Sequence, residues 1–209
     1  MRLRNVKGAK EIIESSNYIV LNYKEHKGKY NKLFGNDNPI YIEIGMGKGK
    51  FIIDNALKYP NINFIGIEKY DSVVVRAIQK LENNDIPNLK IIRMDALETD
   101  DVFDHEISKI YLNFSDPWPK DRHAHRRLSS EIFLKKYDNI FRDIKNITMK
   151  TDNRKLFEYS VKSFIDYGYK INDISLDLHG DIYPDNIMTE YEERFVNKGN
   201  QIYMVDVTK

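Results

Sequence analysis

Tyr41-Ile-Glu-Ile-Gly-Met-Gly-Lys-Gly49 is the stretch whose residue types and spacing first suggest chemistry. A strand-like run ends in Glu43 and Ile44, three glycines alternate at Gly45, Gly47 and Gly49, and a helix-like pattern follows. Glycines there permit a tight turn and let a ligand come close to the backbone. The dinucleotide fingerprint Gly-x-Gly-x-x-Gly fails because position 50 is Lys50, and the phosphate loop Gly-x-x-x-x-Gly-Lys-Ser/Thr is also missing. Glu43, aimed into the same crevice, would repel a pyrophosphate.

Two further acids stand at the next strand ends, Glu68 after Ile62 to Ile67 and Asp95 after Leu89 to Ile92. Acids suit a cofactor that carries a sulfonium and an ammonium but no phosphate, namely S-adenosylmethionine. Glu43 would sit near the cations, Glu68 would accept the ribose hydroxyls, and Asp95 would meet the adenine amino group. Taken singly, Glu43 could be a solvated strand terminus and Glu68 a partner for a helix N-terminus. A fourth strand end reads Asn113-Phe-Ser-Asp116-Pro-Trp-Pro-Lys120. Its prolines and Trp118 stiffen the loop and place Asp116 where, in a methyltransferase of this architecture, the methyl group is transferred. A purely structural Pro-Trp-Pro turn is the alternative, though it leaves the flanking charges unexplained. The run Arg122, His123, His125, Arg126 and Arg127 follows directly. Guanidinium forks match phosphate oxygens, so the position points to a nucleic-acid substrate, a folded RNA rather than duplex DNA.

The elements that must position these residues alternate strand and helix. After the first strand (Ile40, Ile42, Ile44) comes a helix from Gly49 to Tyr59, stopped by Pro60. A buried strand spans Ile62 to Ile67, and Val74, Ala77, Ile78 and Leu81 mark one helical face. Strands at Leu89 to Ile92 and Ile107 to Phe114 precede a helix with Phe133, Tyr137, Ile140 and Phe141 on one side. A fifth strand is expected at Ile147 to Met149, then a helix from Asn153 to Tyr167 with Gly168 as its stop. Tyr169 to Leu178 and Gln201 to Val207 suit a closing antiparallel pair. Such repeats require an α/β fold with a mostly parallel sheet covered on both faces, its ligands bound beyond the carboxyl ends of the strands.

The chain has 209 residues and a net charge of +1, which fits one domain with a single large core. It has no cysteine, which excludes disulfides, thiolate metal sites and a cysteine nucleophile. The five histidines are scattered or lie among arginines, so no metal is expected. No apolar run could span a bilayer and no signal-like segment follows Met1, so a cytoplasmic location and no membrane partner are expected. Charge is segregated: residues 1–35 hold eight Lys/Arg, including Arg2 and Arg4, against three acids. Residues 1–38 therefore read as a basic extension, helical near Ala9 to Ser15, and 39–209 as the main domain. The extension could grip RNA backbone, in which case deleting residues 1–35 raises the KM for RNA, or pack on the sheet through Ile12, Ile13, Ile19 and Val20.

With these motifs in order, the chain resembles the bacterial tRNA (guanine-N(7)-)-methyltransferases. The resemblance runs from Glu43-Ile-Gly-Met-Gly-Lys-Gly49 through Ile67-Glu-Lys69, Asp95-Ala96, Ser115-Asp-Pro-Trp-Pro-Lys120, Arg122-His123 and Arg126-Arg127 to Thr151-Asp-Asn153 and Thr189-Glu-Tyr-Glu192. It implies a Rossmann-like class I fold with a seven-stranded sheet, S-adenosylmethionine as cofactor, and methylation of guanine N7 at position 46 in the tRNA variable loop. It further implies that Glu43, Glu68, Asp95 and Asp116 line the cofactor and that Asp116 is catalytic. Lys120, Asp152, Thr189, Glu190, Tyr191 and Glu192 would hold the substrate, and Arg122 to Arg127 would touch RNA.

The implied chemistry needs no strong base, because guanine N7 has an in-plane lone pair and no proton. Alignment of N7, methyl carbon and sulfur is the main requirement, and a carboxylate such as Asp116 can stabilise the charge that moves onto the purine. Lys120 could donate to guanine O6, while Glu190, Glu192 or Asp152 could accept from N1–H and the 2-amino group. The guanine must be displaced from its tertiary pairing to be reached. Three other readings compete with this one. An amino-group methyltransferase needs (Asp/Asn)-Pro-Pro-aromatic, whereas Pro117-Trp118-Pro119 transposes it. A non-catalytic RNA-binding protein would not keep the acids, and a nicotinamide oxidoreductase would need the missing glycine. The sequence leaves open whether the protein is a monomer or a homodimer.

Overall fold

The computed structural model describes residues 6–82 and 84–209, so Arg2 and Arg4 lie outside the described residues. Seven strands, β1 (Ile40–Ile44), β2 (Asn63–Glu68), β3 (Leu89–Arg93), β4 (Ile107–Asn113), β5 (Phe141–Thr151), β6 (Lys170–Ser175) and β7 (Tyr203–Thr208), form one sheet in the order β3-β2-β1-β4-β5-β7-β6. The first five pair in parallel, and β7 runs antiparallel to both β5 and β6. The helices are α1 (Ala9–Ser15), α2 (Tyr30–Phe34), α3 (Lys50–Lys58), α4 (Asp71–Leu81), α5 (Thr99–Val102), α6 (Glu131–Asp138), α7 (Arg154–Asp166) and α8 (Glu190–Val196). No helix among the described residues is long and apolar enough to cross a membrane.

Strand alternation divides the core into two faces. Phe64 joins Ile52, Val74, Ile78 and Leu81 of α3 and α4, while the next residue, Ile65, joins Tyr137 and Phe164 of α6 and α7 on the opposite side. Every residue of β2 is buried, as expected for a central parallel strand. On α4 the predicted stripe Val74, Ala77, Ile78 and Leu81 is fully inside. Helix α7 begins where Asn153 Oδ1 accepts the Leu156 N–H at 2.9 Å and ends at Gly168, whose φ of 95° no β-carbon favours.

One element differs from the sequence reading. Ile140 and Phe141 are not on α6, which stops at Asp138; Phe141 instead opens β5, an eleven-residue strand that pairs with β4 at Ile107↔Phe141 and, after a register irregularity, from Lys109↔Asn146 onward. The first half of β5, Arg142 to Asn146, is charged or polar except for Ile144, which is itself exposed. It therefore lacks the apolar run that marks its second half.

The segment before β1 packs against the sheet. Ile13 is buried on the α4 side, and Ile19 bridges in parallel to Ile91 at the β3 edge, where Val20 N–H donates to Ile91 C=O at 3.0 Å. Farther on, the Glu106 carboxylate accepts from the N–H groups of Gly28 and Tyr30 at 2.9 and 3.0 Å, and the Tyr30 ring is fully buried against Phe103. A deletion through residue 35 thus removes core side chains together with cations, so single charge substitutions are the cleaner probe of RNA contact. Tyr30→Ala is expected to lower unfolding free energy by about 3–5 kcal/mol, measured by urea titration. A change below about 1 kcal/mol would mean the segment is not part of the cooperative core.

The sheet order reverses at β1, which lies between β2 and β4. Loops leaving the carboxyl ends of β1 and β4 diverge there, and the crevice between them is the expected ligand site.

Candidate active site

The crevice is a cleft of about 1190 Å³ lined from the ends of β1, β2, β3 and β4 and from the start of α8. Its floor is the glycine turn. Gly45, Gly47 and Gly49 have φ values of 82°, 58° and 79°, and a β-carbon on Gly49 would lie 3.0 Å from the Ala77 β-carbon. Backbone conformation and close packing therefore both require glycine at position 49. Gly66 in β2 is needed for space instead, because Met46 Sδ occupies the place of its missing side chain.

Glu68 holds this turn. Its Oε2 accepts the Gly47 N–H at 3.1 Å, and Oε1 accepts those of Lys69 and Tyr70 at 2.8 and 3.1 Å. Burial still raises its pKa, only partly offset by the three N–H donors. Asp95 accepts the Leu97 N–H at 3.0 Å and pairs with Lys69 at 2.6 Å. Burial opposes its charge, but these two partners prevail and lower its pKa.

Glu43 sits deepest. Its Oε1 accepts from Asn113 Nδ2 at 2.9 Å, and burial pushes its carboxyl up to about 7. Glu43 Oε2 and Asn113 Oδ1 are buried and have no hydrogen-bond partner among the described residues. Two orphaned acceptors beside the glycine turn fit a cationic ligand group, since a buried acceptor without a donor costs free energy until one arrives. Asn113 belongs to the site although the sequence reading used it only as the start of the loop motif.

The Asp116 loop is shaped by unusual backbone. Phe114 and Trp118 have φ values of 50° and 39°, and Arg127, almost fully buried, donates to the carbonyls of Pro117 and Trp118, both at 3.0 Å. Its guanidinium also lies over the Tyr159 ring, 4.2 Å from the centroid. Arg127, which resemblance placed against RNA, is thus the loop's internal brace. Arg126 is exposed, lines the cleft and covers Trp118, and His123 packs edge-on to that indole. Lys120 and Arg122 are exposed and are not among the residues lining the cleft, whereas His125 is exposed and lines it. Asp116 itself is exposed within the cleft.

Thr189, Glu190 and Tyr191 close the far wall. The Tyr191 ring lies 5.0 Å from Phe114 and stacks on Phe195, and its hydroxyl reaches Asp152 Oδ2 at 3.5 Å. Glu190 is engaged by Lys80 and Lys48. Glu192, which resemblance placed against the substrate, is fully buried. It accepts from Lys150 Nζ at 2.6 Å and forms a capping box with Thr189. The spacing Thr-x-x-Glu is that of a capping box, a signal available in the sequence.

Residues 37–205 match the family described as "Putative methyltransferase". A tRNA (guanine-N(7)-)-methyltransferase of Geobacillus sp. (strain WCH70) is 52% identical over 99% of this chain and 95% of its own length. Those of Lachnoclostridium phytofermentans and Streptococcus sanguinis are 51% and 47% identical, over 97% and 99% of this chain and 96% and 98% of their own lengths. The chain belongs to the tRNA (guanine-N(7)-)-methyltransferase family. Among solved structures, an antibiotic-related methyltransferase aligns with a TM-score of 0.65 at 16% identity, over 87% of this chain and 92% of that one. A 16S rRNA (adenine(1408)-N(1))-methyltransferase from Catenulisporales acidiphilia aligns at 0.63 and 12%, over 90% and 92%. These two establish the Rossmann-like methyltransferase fold expected from the strand–helix alternation. As a member of the family the protein is a methyltransferase with S-adenosylmethionine as its cofactor, and the cationic character of that cofactor suits the orphaned Glu43 and Asn113 acceptors.

Proposed function

We propose that this protein methylates N7 of guanine 46 in the variable loop of tRNA. The observation that carries the reading is one cleft with two kinds of wall. Its floor is acidic at Glu43, Glu68, Asp95 and Asp116, while its rim carries His125 and Arg126, preceded along the chain by exposed Lys120 and Arg122. An acidic floor suits a sulfonium cofactor and a cationic rim suits RNA phosphate. The cleft exceeds the few hundred cubic ångströms that a small ligand needs, which leaves room for a displaced base beside the cofactor.

In this reading Glu43 and Asn113 hold the cofactor's ammonium, Glu68 its ribose and Asp95 its adenine. When bound, the cofactor supplies a methyl group on a sulfonium. Asp116 faces the place where positive charge passes to the purine and stabilises it there. No residue has to remove a proton, since guanine N7 carries none. Tyr191, supported by Phe114 and Phe195, forms the flat wall for the base, and Asp152 and Thr189 offer acceptors to its N1–H and 2-amino edge. Lys120 and Arg122 to Arg126 take phosphate oxygens or the O6 edge.

The test is methyl transfer from labelled S-adenosylmethionine to unmodified tRNA, followed by nucleoside analysis. The expected product is 7-methylguanosine, lost when the variable-loop guanine is replaced; a different methylated nucleoside would overturn the assignment. Two neighbouring arginines should behave differently. Arg126→Gln is expected to reduce the slope of log kcat/KM against log salt by about 0.7–0.9, as for one lost phosphate contact. Arg127→Met should leave the slope unchanged and lower kcat, because it releases the Asp116 loop. Equal slopes for both variants would remove the distinction.

A further inference from the structure

Lys150 is a buried cation that the chemistry above does not use. It occupies the carboxyl end of β5 with its side chain 4% exposed, and all three of its N–H donors have acceptors: Glu192 Oε2 at 2.6 Å, Ile187 C=O at 2.9 Å and Asn186 Oδ1 at 3.1 Å. Those acceptors belong to the strap before α8 and to the first turn of α8, which together bring Thr189, Glu190 and Tyr191 to the cleft. The other Glu192 oxygen accepts from Asn186 Nδ2 at 2.9 Å and lies 3.0 Å from His179 Nε2, so the strap is tied to itself around the same carboxylate. The Lys150 carbonyl accepts the Phe114 N–H at 2.8 Å, at the strained first residue of the Asp116 loop. Its ammonium also lies 5.0 Å from the Phe51 ring, in the helix that starts at the glycine turn.

We infer that Lys150 is a positioning residue that seats the acceptor-base wall. Through its side chain it fixes the strap, through its carbonyl it fixes the Asp116 loop, and so it sets the distance between the two. Glu192 is the strap's anchor in this arrangement and does not read the guanine edge. A buried charge pair with every donor satisfied resists displacement, because removing one partner leaves the other charge desolvated and alone. A misplacement of the wall by about an ångström would be costly in rate even though no reacting atom is touched. The inference rests on the reading of this cleft as the acceptor site, so its test includes a measurement that needs no acceptor.

Lys150→Met keeps the length of the side chain and removes the charge. Hydrogen exchange of the cofactor-free variant is expected to rise about tenfold or more in residues 183–196 while amides of β1, β2 and β4 keep wild-type protection. Unchanged exchange in the strap would overturn the seating role whatever the acceptor proves to be, and so would a uniform rise across the sheet. With tRNA, kcat should fall by about 10²-fold and the Kd for S-adenosylmethionine should stay within about threefold. Wild-type turnover in a variant whose strap has loosened would overturn the functional part. Glu192→Gln, which preserves the shape of the capping box, serves if the lysine variant does not fold. It is expected to slow methylation of tRNA carrying guanine or inosine at the target position by the same factor, since inosine lacks only the 2-amino group. A loss confined to guanine would make Glu192 a base reader and overturn the inference. Absence of 7-methylguanosine formation by the wild type would dismiss the acceptor reading, while the exchange data would still decide the seating.

Discussion

Asp116→Asn is expected to lower kcat by about 10²–10³-fold, the usual loss when one preorganised electrostatic group is removed from a transition state. The carboxylate lies in the cleft, exposed, with no hydrogen bond to other described residues, so its removal breaks no internal contact. Its position is fixed by neighbours instead: Arg127 holds the carbonyls of Pro117 and Trp118, and Lys150 C=O holds the Phe114 N–H. Asparagine has the same shape and no charge, so the loop should stay in place and Tm should change by no more than about 2 °C. The measurement is single-turnover methyl transfer at saturating cofactor and tRNA, with thermal melting as the fold control. A variant that keeps more than a tenth of wild-type turnover would show that Asp116 does not stabilise the migrating charge.

The second large effect concerns Glu43 and, unlike the first, changes stability. Burial pushes its carboxyl up to about 7 in the folded protein, against an ordinary value of 4.5, despite help from Asn113 and Lys150. Between those two values the folded state holds a proton that the unfolded chain has released. The contribution of Glu43 to stability is therefore most favourable below the unfolded pKa and declines as pH rises from 4.5 through 7. Glu43→Gln, neutral at all pH, should make the cofactor-free protein more stable at pH 8 by about 3 kcal/mol. That gain corresponds to several degrees in Tm and should vanish near pH 4. The same change should weaken S-adenosylmethionine binding, because an acceptor charge facing the ammonium is lost. Melting curves at pH 4 and pH 8, with calorimetric titration of the cofactor, check both parts. An equal stability gain at the two pH values would show that the site does not carry the buried charge described. A stabilising loss of function is the expected mark of a residue kept for its ligand.

Much of the fold was legible because the determining signals are local. Three alternating glycines after Ile40, Ile42 and Ile44, the stripe from Val74 to Leu81, and Gly168 after α7 each act within a few residues of themselves. The acids Glu43, Glu68 and Asp95 were legible for a related reason: a parallel sheet delivers all its strand ends to one side, so residues far apart in sequence must meet there. The first half of β5 was not legible, because Ile144 is its one apolar side chain and its backbone partners include the far end of the chain, Lys145 pairing with Lys209 and Asn146 with Thr208. Ile140 and Phe141 then fell at helical spacing from Phe133 and Tyr137 by coincidence.

The sequence by itself determined the strand–helix alternation, the glycine turn, the acidic floor and the order of motifs that carries the family resemblance. Only the tertiary structure decided which charged residues are available to a ligand. Arg126 and Arg127 are adjacent and chemically identical, yet one faces the cleft and the other is spent on two loop carbonyls. Glu190 and Glu192 differ in the same way, the first at the cleft wall and the second buried against Lys150. The physical reason is that the availability of a charge depends on its partners and its exposure. For Arg127 those are two carbonyls nine and ten positions back and the Tyr159 ring, and for Glu192 the Lys150 ammonium more than forty positions away, none of which can be read from the residue itself.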